Sequence, residues 1–183
     1  MKIYDTIMGL FIAFFVWANP VKAQEMETLS KRQEAIIPIA SMTAKGEIEK
    51  LHKALIEGMG AGLSVSEIKE VLTQLYAYAG FPRSLNALTC FMQVLEERKA
   101  KGFVDSEEND SSTSFKSKSY EIGNKTHARL TGSTDKGKVM QFAPAVDYYL
   151  KAHLFGDIFG HGNLQETDRE IVTLSALASL DGT

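Results

Sequence analysis

The sequence predicts an all-α protein, on three observations. Apolar residues recur at helical spacing through most of the chain, two capping boxes open such stretches, and nothing alternates with period two over a useful length. With 183 residues, 44% of them hydrophobic and 23% charged, the composition is that of an ordinary globular protein. That length fits one domain, or two small ones sharing a core. The formal charge is −3, from 20 Lys+Arg against 23 Asp+Glu, and no basic block stands out, so an electrostatic grip on nucleic acid has no visible source.

Residues 1–23 are not read as fold. Lys2 precedes an unbroken apolar run from Ile7 to Ala18, followed by Asn19-Pro20-Val21-Lys22-Ala23. The run is short for a bilayer span, and Val21 and Ala23 are small residues where signal peptidase reads them. The expectation is a secretory signal peptide cut before Gln24, giving a periplasmic or secreted protein with no membrane attachment. A retained anchor is the alternative. Cleavage would remove Lys2, Lys22 and Asp5, leaving 18 basic and 22 acidic residues, a net charge of −4.

Ser30-Lys-Arg-Gln33 has the capping-box form and opens an apolar stretch, Ala35 to Met42, that stops near Gly46. Pro38 should kink this helix or mark an early turn of it. From Ile48 the apolar positions 48, 51, 55 and 59 form one face, which Gly58, Gly60 and Gly62 bring to an end. Ser64-Val-Ser-Glu67 is a second capping box, followed by the stripe Ile68, Val71, Leu72, Leu75 and Ala79. Pro82 then starts a helix expected to carry Leu85, Leu88, Met92 and Leu95 inward. Residues 24–98 thus read as one helical repeat.

Residues 99–137 are polar and Gly-, Ser- and Asp-rich, a solvated connector. Helical periodicity returns at Val139, with Val146, Tyr149, Leu150, His153, Leu154 and Ile158 on one side. The last segment echoes the first: an offset of 135 places Leu29 on Leu164, Ile36 on Ile171, Ile37 on Val172, Ile39 on Leu174 and Met42 on Leu177. Residues 138–183 therefore read as the start of a second repeat, whose core more chain or another subunit would complete.

The stretch from Gly62 through Ser64-Val-Ser-Glu67 and Tyr76-Ala-Tyr-Ala-Gly-Phe-Pro-Arg-Ser84 to Leu88 resembles the signature helix pair of the carboxymuconolactone decarboxylase family. Leu154-Phe-Gly-Asp-Ile-Phe-Gly160, followed by Arg169-Glu-Ile-Val-Thr-Leu-Ser-Ala-Leu-Ala178, is similar to the start of that family's second repeat. The resemblance implies an alkylhydroperoxidase D-like helical bundle, here one full repeat plus the start of a second. It also implies a homo-oligomer in which neighbouring subunits complete the sites.

Two chemistries fall within the resemblance. The peroxidase branch uses a Cys-x-x-Cys-x-x-x-His helix, because a resolving thiol must lie one turn from the attacking thiolate. The matching stretch, Gly46 to His52, has no Cys, and the single cysteine, Cys90, lies two helices later, where a small buried residue is the plain reading. That lone cysteine also leaves no Cys-rich metal site, and no metal is expected. The decarboxylase branch needs no cofactor. It needs a carboxylate anchor, an oxyanion donor and a proton source.

Free N–H groups at the start of the Pro82 helix, with Arg83 and Ser84, form the candidate anchor. Pairing of Arg83 with a neighbouring acid, and capping by Ser84, is the structural alternative. His52 is the candidate acid, imidazole being suited to proton transfer near neutral pH, although it borders an apolar stripe. Tyr76 and Tyr78 are candidate donors, Tyr76 catalytic and Tyr78 substrate-binding, with core packing as the alternative for both. His161 sits in a Gly-His-Gly turn where the resemblance leads one to expect Arg. The function expected is a cofactor-free lyase acting on a small carboxylated lactone or similar acid. The alternatives are a peroxidase working through Cys90 alone, and a non-catalytic small-acid-binding scaffold.

Overall fold

The computed structural model describes residues 28–105, 118–134 and 137–182, and every regular element among them is helical. The leader-like residues 1–23 lie outside the described residues. Helix α1 spans Lys31–Lys45; Ser30 and Gln33 close its capping box reciprocally, and Gly46 ends it at φ 75°, a left-handed cap that costs glycine little. Pro38 lies inside α1 without ending it. Helix α2, Ile48–Gly60, buries Leu51 and Leu55. Gly58 faces Ile39 so closely that a Cβ there would lie 2.8 Å from Ile39 Cδ1. Helix α3, Val65–Gln74, starts at the second reciprocal capping box, Ser64 with Glu67. A short helix, α4 (Tyr76–Ala79), leads through Gly80 into α5, Phe81–Ala100.

These helices enclose one apolar core that includes Ile36, Ile39, Leu55, Leu72, Phe91 and Val94, and the last helix, α9 (Glu166–Leu177), contributes Val172 and Ala176 to it. At roughly 1.5–3 kcal/mol for each fully buried large side chain, this core is the main stabilising term. Helices α1 and α9 lie side by side and parallel. Gln33 Nε2 donates to Asp168 Oδ1 at 3.1 Å across 135 residues, and Ser41 Oγ donates to the Ser175 carbonyl across 134. Equivalent positions of the two similar segments thus face one another, so the contact register equals the sequence offset.

Three expectations are corrected by the structure. Helix α5 turns Ser84, Ala87, Cys90, Phe91 and Val94 inward, while Leu85 and Met92 are 56% and 63% exposed. Leu88 and Leu95 pack against the core as expected but only partly buried, so the inward face is rotated toward Ala87, Phe91 and Val94. The connector contains a helix, α6 (Ser119–Thr131), whose Gly123 is buried. Finally, the segment after α7 (Lys138–Phe142) and α8 (Pro144–Tyr149) is a π-helix, Leu150–Ile158. Its i→i+5 bonding widens the turn and shifts the inward face. Asp147, Lys151, Ala152, Gly156 and Ile158 are buried there, whereas Val146, Tyr149 and His153 face outward. No helix among the described residues is long and apolar enough to cross a membrane.

Candidate functional site

Two polar assemblies stand out against this apolar frame, one buried and one open. The buried one joins the two segments of the chain. Arg169 on α9 is fully buried, and its Nη2 donates to Glu70 Oε2 on α3 at 2.7 Å and to the His161 carbonyl at 3.2 Å. Its Nη1 donates to Gln74 Oε1 at 3.1 Å, and Gln74 Nε2 returns a bond to the Arg169 carbonyl at 2.9 Å. His161 Nδ1 lies 3.1 Å from the other oxygen of Glu70. The phenol of Tyr78 accepts from Thr173 Oγ1 at 3.1 Å, and burial pushes its pKa up, reinforced by the charge of Glu170. A buried charge is tolerated only when it is paired and hydrogen-bonded, and this network meets that condition for Glu70. Nε of Arg169 is enclosed without a partner among the described residues. Near the surface Arg32 extends the same seam, bridging Glu67 and Asp168. These groups are occupied with one another, which suits them to fixing α9 on α3.

The open assembly is built where α6 crosses the π-helix. The crossing is tight because two glycines meet backbone: a Cβ on Gly123 would fall 1.6 Å from the Lys151 carbonyl oxygen, and one on Gly156 would fall 2.1 Å from that of Ser119. This closeness lets Ser119 Oγ donate to Asp157 Oδ1. The other oxygen of Asp157 lies 2.9 Å from His153 Nδ1, one turn back along the π-helix. A carboxylate only accepts, so Nδ1 is the donor, and the neutral imidazole then presents an acceptor at Nε2. Among the described residues Nε2 has no hydrogen-bond partner. His153 and Asp157 line a groove of about 830 Å³ together with Tyr120, Tyr148 and Tyr149. Behind the imidazole the ring of Tyr76 lies 5.4 Å away, itself stacked on Phe81 at 4.3 Å. The Tyr76 hydroxyl is buried and has no partner among the described residues.

The residues singled out from sequence are distributed over several places. Arg83 directs Nη1 to the Ala44 carbonyl at the end of α1, where a guanidinium complements the exposed carbonyls of a helix C-terminus. Ser84 is buried and donates to the Leu72 carbonyl at 2.7 Å. Both side chains are thus bonded to backbone carbonyls. His52 Nε2 pairs with Glu97 on α5 at 3.1 Å. Tyr78 belongs to the buried network, and Tyr76 alone of the five touches the groove's imidazole. Cys90 is 2% exposed, points its thiol at the Ile48 carbonyl 3.8 Å away, and has its pKa raised by burial and then by the charge of Glu97. Such a thiol is the inert, structural kind. No group of three or more His, Cys, Asp or Glu side chains among the described residues is placed to hold a metal ion.

His153 and Asp157 escape a sequence reading tuned to α-helical faces, because the π-turn moves His153 to the outside. The signal available was their spacing of four, with an acid and an imidazole on one helix. No protein-family model matches the chain, and no curated protein matches it.

Proposed function

We propose that the protein is a carboxymuconolactone decarboxylase-like, cofactor-free lyase acting on a small carboxylated lactone or similar acid, with His153 rather than His52 as its proton carrier. The observation that carries this reading is the Asp157-oriented imidazole of a groove-lining residue, whose Nε2 has no partner among the described residues. The parallel α1–α9 contact at the repeat offset supports the tandem-repeat part of the reading. Export to the periplasm or beyond rests on the leader-like residues 1–23.

The chemistry asked of the groove is modest. The bond to the departing carboxyl breaks, its electron pair moves into the lactone carbonyl to give an enolate, and carbon dioxide leaves. The imidazolium form of His153 then gives its Nε2 proton to the enolate carbon, while Asp157 retains the Nδ1–H bond and stabilises the charged ring in between. Tyr76 offers an enclosed, unpartnered hydroxyl beside the imidazole. An orphaned buried donor costs about 1–3 kcal/mol, which a bond to an oxyanion reached by a small ring movement would recover. Thiol peroxidase chemistry is disfavoured by the burial and raised pKa of Cys90.

The test is carbon dioxide release from a carboxylated muconolactone by the purified protein. Turnover that falls about 100-fold or more in His153→Gln supports the assignment, that being the usual scale of general acid–base catalysis. Absence of turnover in the unaltered protein removes the lyase reading and leaves a binding role. Turnover indifferent to His153→Gln moves the chemistry elsewhere.

A further inference from the structure

The aromatic rim of the groove goes beyond what a lactone lyase requires. Tyr120 and Tyr148 are stacked, with centroids 5.4 Å apart and planes 12° from parallel, and Tyr149 stands nearly edge-on to Tyr148 at 6.0 Å and 74°. Tyr148 and Tyr149 are 54% and 66% exposed although both line the groove. The three phenols make an aromatic corner on residues that line the groove. Exposed aromatic rings arranged this way favour a planar π-system, which can stack on one wall and meet the other edge to face. A puckered aliphatic ring of the same size can do neither.

The polar groups in the groove narrow the class further. Asp157 already accepts from Ser119 and His153, and Lys118 lies 3.8 Å from Glu121 at the rim, so the charges are largely answered within the protein. His153 Nε2 has no partner among the described residues, and in the neutral imidazole it is an acceptor that calls for an O–H donor. The ring platform and the acceptor share one groove of about 830 Å³, ample for a two-ring compound.

From this juxtaposition we propose that the groove binds planar hydroxyaromatic compounds, the ring seated in the Tyr148–Tyr149 corner and the hydroxyl donated to His153 Nε2. The inference uses the same imidazole as the lyase reading but requires no turnover. Its probe is 2-naphthol, compared with 2-methoxynaphthalene, which keeps the ring and loses the donor, and with decahydro-2-naphthol, which keeps the donor and loses planarity. Binding to the full chain is followed by calorimetry and by naphthol fluorescence.

The expected result is 2-naphthol binding about two- to tenfold more tightly than either analogue, that being the contribution of the one hydrogen bond or ring contact each analogue lacks. His153→Phe preserves a ring against Tyr76 and should abolish the preference over 2-methoxynaphthalene. Tyr148→Leu should abolish the preference over decahydro-2-naphthol. Both side chains are half exposed or more, and the comparison of three ligands on the unaltered protein does not depend on the variants folding. Equal affinity for 2-naphthol and its methyl ether, or no binding of 2-naphthol, overturns the proposal. Naphthol binding without lactone turnover overturns only the lyase reading.

Discussion

The buried Glu70–Arg169 pair allows a sharp prediction about what holds the last helix to α3. Glu70→Gln keeps the shape of the side chain and removes its charge, leaving the guanidinium of Arg169, which is 0% exposed, without its carboxylate. Removing one partner of a buried pair costs about 3–5 kcal/mol, because the remaining charge stays desolvated. Arg169→Met should cost a similar amount, because it leaves the buried Glu70 carboxylate without its cation and takes the donor from Gln74 Oε1 and the His161 carbonyl, with a partial offset. Glu70 keeps its contact with His161, and the substitution deletes the enclosed Nε that has no partner, recovering about 1–3 kcal/mol. The double variant Glu70→Leu with Arg169→Met should lie closest to the unaltered protein, since well-packed apolar residues often replace a buried pair at little cost.

Urea unfolding followed by circular dichroism, with parallel m values checked for each variant, compares the four proteins. For a chain of this size 3–5 kcal/mol corresponds to a fall of about 6–20 °C in melting temperature. A loss below about 1 kcal/mol for either single variant, or a double variant less stable than both, would refute the reasoning. The first outcome would mean that the network is open to water or that α9 leaves the core easily.

Three further predictions rest on separate parts of the fold. Cys90 should resist alkylation in the native protein at mildly alkaline pH and react fully once the chain is unfolded in denaturant; rapid native labelling would contradict its burial. Tyr78 is held neutral by burial, so the unfolded chain loses its phenolic proton first. Stability should be intact below the ordinary tyrosine value of about 10 and fall as pH rises above it. Tyr78→Phe should flatten that fall, read as the difference between the two stability–pH curves, because Cys90 adds a slope of the same sign to both. Gly123→Ala should cost about 3 kcal/mol or more by forcing α6 off the π-helix, and should remove 2-naphthol binding with it; a melting temperature unchanged by this substitution would contradict the tight crossing.

Much of the segment from α1 to α5 is legible in the sequence because its signals are local. Ser30 with Gln33 and Ser64 with Glu67 mark helix starts three residues apart, and Gly46 marks an end, so α1 and α3 follow from short-range chemistry. The stripe Ile68, Val71, Leu72 and Leu75 needs only helical spacing to be read as core. Helix α5 shows the limit of that method. It has two overlapping apolar stripes, and spacing cannot say which is fully buried; packing against α2 and α3 selects Ala87, Cys90, Phe91 and Val94.

The sites depend on contacts that no local pattern contains. Arg169 is visible in the quoted motif, but its partner Glu70 stands 99 residues earlier. Arg83 and Ser84 have the chemistry of an anion site, yet the carbonyls of Ala44 and Leu72 take up both side chains. His153 reads as a member of an apolar face until the π-helix turns it outward against Asp157. Propensity, capping and periodicity act over a few residues, and they suffice for the all-helical class, the helix starts and the similarity of the two segments. Which stripe is buried, which charges are paired and which imidazole is left without a partner among the described residues follow from the folded arrangement, because burial and pairing are properties of surfaces brought together from distant parts of the chain.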